Sequence, residues 1–146
     1  MEGGYSGWLM VVDLARGEAT TERYPEIYAG ELLGGFGVNN RLFSDYSRPG
    51  TDPLSPDNPV VFGAGPLVGT AVPGASRVMA NARLPLTGAV ASASGSMGLG
   101  AQMKWSGLDH LVLLGKAPEP TLISLDDGRA ELLPAASLWG TGTLET

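Results

Sequence analysis

Cysteine is absent from the 146 residues, and histidine occurs once, as His110. The first absence excludes disulfides, thiolate zinc sites, a cysteine nucleophile and an iron–sulfur cluster held by this chain alone. The second makes a His-rich metal site or an in-chain Ser–His–Asp triad depend on one residue. Charge is sparse as well, at 16% of residues, against roughly 25% in an ordinary globular domain. Basic residues are the scarcer kind, nine against fifteen acidic, for a net charge of −6. That balance argues against a nucleic-acid footprint or an anionic membrane surface. No long uninterrupted hydrophobic run exists. A long charge-free stretch lies between Asp57 and Arg77 and contains Pro59, Pro66 and Pro73 with Gly63, Gly65, Gly69 and Gly74. A spanning helix there would be broken repeatedly, and lipid offers no partner for the freed backbone groups. The start, Met1 to Tyr5, has neither a basic region nor an apolar core, so it does not read as a secretory signal. The expectation is a soluble cytoplasmic protein that binds neither nucleic acid nor membrane.

What is present is apolar and rich in chain breakers. Hydrophobic residues make up 43%, beside 22 glycines and 11 prolines. Val, Leu and Ala between the breakers are enough for a core, so the composition fits a loop-rich folded domain and not a disordered tail. The length suits one domain, residues 1–146.

The opening reads as a hairpin. Gly7 to Leu14 is a β-rich run, Ala15-Arg16-Gly17-Glu18 turns, and Ala19 to Tyr24 alternates with period two. Pro25 closes it. Short helices are predicted from Glu26 to about Leu33 and from Val38 to about Tyr46, with Gly34-Gly35 between them. Residues 47–59 are turn-rich. Val60-Val61-Phe62 reads as a buried strand, Ser76 to Arg83 as an alternating one and Ala89 to Ser94 as a strand of small residues. Gly98 to Trp105 is predicted as a helix and Leu111 to Gly115 as a buried strand. Thr121–Leu125 and Arg129–Leu133, joined through Asp126-Asp127-Gly128, form a second hairpin. Both hairpins are followed by proline and a helix start, which fits either an internal duplication or the commonness of hairpins. The last residues, with Thr143 as an N-cap, read as the beginning of another helix.

The charge is unevenly distributed. Residues 1–58 carry nine acidic and four basic side chains, and residues 104–146 carry six and three. Residues 59–103 carry no acidic side chain, two arginines (Arg77 and Arg83) and eight glycines. Glycine lets an anion approach backbone N–H groups, and arginine adds a bidentate fork suited to phosphate. This composition fits a site for a phosphate-bearing cofactor or, equally, a packed Ala/Gly-rich sheet interface with two solvated arginines. No P-loop is present, and Gly63-x-Gly65-x-x-x-Gly69 lacks dinucleotide-fold spacing. Gly95-Ser96-Met97-Gly98, opening a predicted helix beside Ser94, is the better anion nest. His110 is expected at the surface, the three tryptophans as core or interface anchors, and Asp13, Asp109 and Asp126 as turn or cap residues.

Several segments, taken in order, form a recognisable series: Gly7-Trp8-Leu9-Met10-Val11-Val12-Asp13-Leu14; Leu33-Gly34-Gly35-Phe36-Gly37; Asp52-Pro53-Leu54-Ser55-Pro56-Asp57-Asn58; Gly65-Pro66-Leu67-Val68-Gly69-Thr70; Pro85-Leu86-Thr87-Gly88; and Leu138-Trp139-Gly140. With them the chain resembles, nearly end to end, the N-terminal domain of the tungsten-containing aldehyde ferredoxin oxidoreductase family. The resemblance implies an α+β domain of two β-sheet halves with short helices, related by pseudo-twofold duplication, that forms a base for a metallopterin. In the family the cofactor is tungsten, sometimes molybdenum, held by two pterins whose phosphates are bridged by magnesium. It oxidises aldehydes to carboxylic acids and passes electrons through a [4Fe–4S] cluster to ferredoxin. The resemblance makes Arg77 a pterin contact. Ser94 stands where a family member has an asparagine near the phosphates and magnesium, and Gly95 and Ser96 follow it in a loop that departs from the family's double-glycine pattern. Arg83 stands where a lysine is usual. No residue here is a convincing catalytic acid, base or nucleophile, and the cluster cysteines of the family lie in later domains.

Two readings follow. In the first, the chain is the cofactor-cradling part of such an enzyme, truncated or half of a split one, inactive alone and dependent on further domains or a companion Cys-bearing chain. In the second, it is a stand-alone non-catalytic cofactor-binding or interaction protein. An apolar face left bare, and covered for instance in a homodimer, would favour the first.

Overall fold

The computed structural model describes residues 3–145. Eight strands and three helices follow one another as β1 (Trp8–Asp13), β2 (Glu18–Arg23), α1 (Glu26–Leu32), α2 (Phe36–Tyr46), β3 (Val60–Ala64), β4 (Val78–Arg83), β5 (Val90–Gly95), α3 (Gly98–Trp105), β6 (His110–Leu114), β7 (Thr121–Asp126) and β8 (Arg129–Pro134). The fold is α+β, with two sheets. The larger runs β2-β1-β6-β3-β4-β5, and β7-β8 forms a separate two-stranded sheet. In the larger sheet only β1 and β6 pair in parallel.

The strand order follows side-chain character. The central strands carry near-continuous apolar runs, as strands covered on both faces do; in β6, His110, Leu111 and Val112 are all buried. The edge strands are polar or small. Every residue of β2, Glu-Ala-Thr-Thr-Glu-Arg, is exposed, and five of the six in β5 are.

Two cores lie on opposite faces of the large sheet. On one face α1 and α2 bring Ala29, Val38, Leu42 and Phe43 against Leu9, Val61 and Val112. On the other, α3 and the β7–β8 hairpin pack Met103, Ile123 and Leu125 against Met10, Val12, Ala64, Val78 and Leu111. Strand alternation sorts these sets: Leu9 and Met10 are neighbours in sequence yet serve different cores.

Both expected hairpins form, but in different sheets. The first turn is built by Asp13, whose Oδ1 accepts from the Ala15 and Arg16 amides at 3.0 and 3.1 Å, with Gly17 at φ 71°. The second hairpin touches the first where Thr21 Oγ1 donates to the Gly128 carbonyl at 3.0 Å. After β8 no further helix appears among the described residues. Positions 135–145 form successive turns, including Leu138 N to Ala135 O and Glu145 N to Gly142 O, both 3.0 Å, so the expected C-terminal helix start is a turn.

Three other expectations change. His110 is fully buried, not superficial, because α2 lays Asn39 over the β6 backbone and supplies a polar partner inside the core. Asp109 is also buried and binds groups from three separate segments. Of the two roles expected for the tryptophans, core or interface, exposure excludes the core one: Trp8, Trp105 and Trp139 are 37, 65 and 78% exposed. No helix is long and apolar enough to cross a membrane among the described residues.

Candidate functional site

The middle of the chain builds a platform at one end of the large sheet. Arg77 immediately precedes β4, and Ser94 lies on β5 opposite Met79 in the antiparallel register. Arg77 Nη1 donates to Ser94 Oγ at 2.8 Å, and both residues are exposed. Two residues singled out from composition and resemblance, seventeen positions apart, are therefore in direct contact. The other two diverge. Gly95 pairs with Val78, and a side chain added there would point at Val78 Cγ1, on the opposite face. Ser96 follows in the turn leading to α3, also exposed. That helix begins after Met97, at φ 74°, with no side-chain cap and no acidic residue in its first turn. Its first amides thus have no side-chain acceptor. Arg83, the second cation of the acid-free region, is engaged elsewhere: its Nη1 donates to the Gly88 carbonyl at 2.8 Å and braces the Pro85–Gly88 turn.

The platform is anchored by α2, whose face carries a polar seam into the core. Asn39 is fully buried. Its Nδ2 donates to Met79 O and Asn81 Oδ1 at 3.0 Å and to Val61 O at 3.3 Å. With its amide hydrogens so placed, its Oδ1 accepts from His110 Nδ1 at 2.9 Å, which assigns the proton to that nitrogen. Asn81 Nδ2 donates to Asn40 Oδ1 at 2.8 Å. His110 Nε2 is buried with no hydrogen-bond partner. Burial lowers the His110 pKa to about 4, so the imidazole is neutral at pH 7. Glycine at position 63 is required, since a Cβ there would overlap Asn39 Oδ1 and His110 Nδ1.

A second buried cluster secures the amino-terminal segment. Asp109 accepts from the Gly7 amide at 2.8 Å, the Ser6 amide at 3.2 Å and Tyr24 Oη at 3.0 Å, and it pairs with Lys104. Burial pushes the Asp109 carboxyl up, but Lys104 and the Gly7 and Ser6 amides outweigh it and hold it below the ordinary value. Burial, with the Asp109 charge beside it, raises the Tyr24 pKa. Neither cluster has an open path to a substrate: Asn39, Asp109 and His110 are at most 1% exposed. They are structural nodes, and sequence reading missed them because no local pattern marks which polar residues a sheet will bury.

In chemical terms the platform offers one guanidinium, two hydroxyls, an uncapped helix start and no carboxylate over residues 59–103. That donor set suits an anion such as a phosphate. Among the described residues no group of three or more His, Cys, Asp or Glu is placed to hold a metal ion.

A family model described as the N-terminal domain of aldehyde ferredoxin oxidoreductase matches residues 9–146. The chain belongs to the aldehyde ferredoxin oxidoreductase family. It is 35% identical over 143 residues to the tungsten-containing aldehyde ferredoxin oxidoreductase of Pyrococcus horikoshii, covering 98% of this chain and 24% of the relative. It is also 29% identical over 146 residues to the WOR-like subunit of the aliphatic sulfonate oxidoreductase of Pyrococcus furiosus, covering 97% and 23%. Among solved structures, a chain of the active-site complex BamBC of benzoyl coenzyme A reductase, determined with 1,5-dienoyl-CoA, superposes with a TM-score of 0.95. That match has 28% identity and covers 99% of this chain and 22% of the other. The chain spans about a quarter of the length of the relatives it matches. The α+β architecture inferred from the resemblance is thus the one observed, in a family whose relatives are named as tungsten-containing oxidoreductases.

Proposed function

We propose that this domain forms the floor of a metallopterin site in an aldehyde-oxidising enzyme of the cytoplasm, working with further domains or with a companion Cys-bearing chain. The observation that carries the reading is the Arg77–Ser94 contact on an exposed platform with no acidic side chain in residues 59–103. Such a surface attracts phosphate and is not already neutralised by a carboxylate. When bound, a tungsten or molybdenum bis-pterin would supply the redox chemistry that takes an aldehyde to a carboxylic acid and sends electrons on to ferredoxin. The chain's own residues bind and orient. Arg77 would fork onto pterin phosphate oxygens, with Ser94 Oγ fixing the guanidinium. The Gly95–Ser96 segment would offer backbone amides and a hydroxyl. A magnesium ion bound with the phosphates would meet neutral hydroxyl oxygens here, from Ser94 and Ser96, and no carboxylate of residues 59–103. Without cysteine the chain has no thiolate for a cluster, so those ligands would come from its partner domains or chain.

The test is Arg77→Ala in the assembled enzyme, read as tungsten or molybdenum per protein by elemental analysis. The expected result is at least a five-fold loss of metal, with Arg77→Lys intermediate because it keeps the charge without the fork. Equal metal content in the alanine variant would sink the assignment.

A further inference from the structure

The platform is the outer end of a row of residues that crosses the large sheet. Strand pairing sets His110 opposite Gly63, Gly63 opposite Met79, and Met79 opposite Ser94. Cross-strand partners share a face. The row therefore runs from the core, where His110 is fully buried, to the platform, where Ser94 is exposed. Gly63 is the gap in it. Having no side chain, it leaves a hole over β3, and the Asn39 amide from α2 occupies that hole. There Asn39 Nδ2 donates to carbonyls on two strands, Met79 O at 3.0 Å and Val61 O at 3.3 Å, and to Asn81 Oδ1 at 3.0 Å. His110 Nδ1, donating to Asn39 Oδ1 at 2.9 Å, fixes which way the amide faces.

One of these bonds bears on the platform. Met79 has Ser94 as its cross-strand partner and lies two positions from Arg77, so a shift of its carbonyl moves both ends of the Arg77–Ser94 contact. A group that grips a ligand works only if its surroundings hold it within roughly 0.5 Å of its productive position. A guanidinium fork is more exacting than a point charge, because two N–H groups must meet two oxygens together. An apolar side chain could fill the hole over Gly63 with no polar group to satisfy. What the amide alone adds is a directed hold on the strand backbone.

We propose that Asn39 is a positioning residue for the platform: by holding the Met79 carbonyl from inside the core, it sets Arg77 and Ser94 at the spacing that a phosphate-bearing ligand requires. The inference rests on the reading of Arg77 as a phosphate contact and adds to it a buried residue that never touches the ligand.

The experiment measures tungsten or molybdenum per folded protein in the assembled enzyme, by elemental analysis with near-ultraviolet circular dichroism on the same samples. Asn39→Ala is expected to lower metal about five-fold, as displacement of a binding group does. Asn81→Ala breaks the same polar seam but leaves the Met79 bond in place, and it should keep its metal. In the Arg77→Lys background, Asn39→Ala should cost less than about two-fold, because a point charge tolerates displacement and the fork on which Asn39 acts is gone. A purely structural role would give the same loss in both backgrounds. Where Asn39→Ala does not accumulate folded, Asn39→Ser, whose hydroxyl ends one atom short of the amide nitrogen, carries the same test. Full metal content in the Asn39 variant, an equal loss in Asn81→Ala, or an undiminished loss in the Arg77→Lys background would overturn the proposal. Metal lost in Arg77→Ala but kept in the Asn39 variant would overturn this inference alone, whereas metal kept in Arg77→Ala would overturn the underlying reading and this inference with it.

Discussion

The seam under α2 and the platform beside it share β4, yet they are built on opposite terms. In the seam, Asn39, Asn81 and His110 are shut away from water and hold one another in a fixed pattern. On the platform, two residues before Met79, Arg77 meets Ser94 in full contact with solvent. β4 therefore carries a polar group that must be satisfied internally, while the residue just before it keeps a polar group free to change partners. Buried polar groups are costly unless paired, and once paired they fix geometry. An exposed arginine contributes little to folding but keeps its donors for a ligand. Rigidity and availability are thus divided between a strand and the residue that leads into it.

Changes inside the buried clusters should reduce folding stability, and changes on the platform should reduce ligand retention alone. The largest effect is expected for Asp109→Ala. It leaves Lys104 buried without its counter-charge and removes the acceptor for Tyr24 Oη and the Gly7 amide. The cost is about 4 kcal/mol, read as the shift in urea unfolding at constant slope; a loss below about 1 kcal/mol would show that this pair is replaceable by solvent.

Acid should act next. His110 has a pKa of about 4 in the fold against an ordinary 6.5. Above that ordinary value neither state is protonated and stability is complete. As pH falls towards 4, the unfolded chain takes up a proton that the folded chain refuses, so stability declines by roughly 3 kcal/mol over that interval. The lowered Asp109 carboxyl adds a loss in the same direction at lower pH. His110→Asn should flatten the slope between pH 6.5 and 4; an unchanged slope in that variant would assign it to other groups.

The smallest stability effect belongs to the platform. Arg77→Ala and Ser94→Ala should each change unfolding free energy by no more than about 0.5 kcal/mol, as surface substitutions do. A larger change would mean that the contact is structural and would erase the contrast.

Much of this arrangement was legible in the sequence, for reasons that can be named. The helix over Gly98–Trp105 and the strand ending at Arg83 emerge where expected, because apolar spacing and flanking glycine are local signals. The acid-free stretch marked the region in which Arg77 and Ser94 meet, since charge depletion survives folding as a surface property. His110 and Asp109 were misjudged for a shared reason. Their burial depends on Asn39, Lys104 and the Gly7 amide, which lie 71, 5 and 102 positions away. Lys104 is near in sequence, but no local window contains Asn39 or the Gly7 amide. The exposure of Trp105 was hidden in the same way, as it depends on how far the β7–β8 hairpin stands off from α3.

Gly63 sits against Asn39 and His110 with no room for a methyl group. That closeness imposes an order on sequence drift. Position 63 can gain a side chain only after one of its two neighbours has shortened, and a shortened neighbour first strands the amide or imidazole it leaves behind. The three sites form a ratchet: each is free to move only through an intermediate less stable than the start. Relatives that escaped it should carry a small apolar residue at position 110 before anything larger than glycine at position 63.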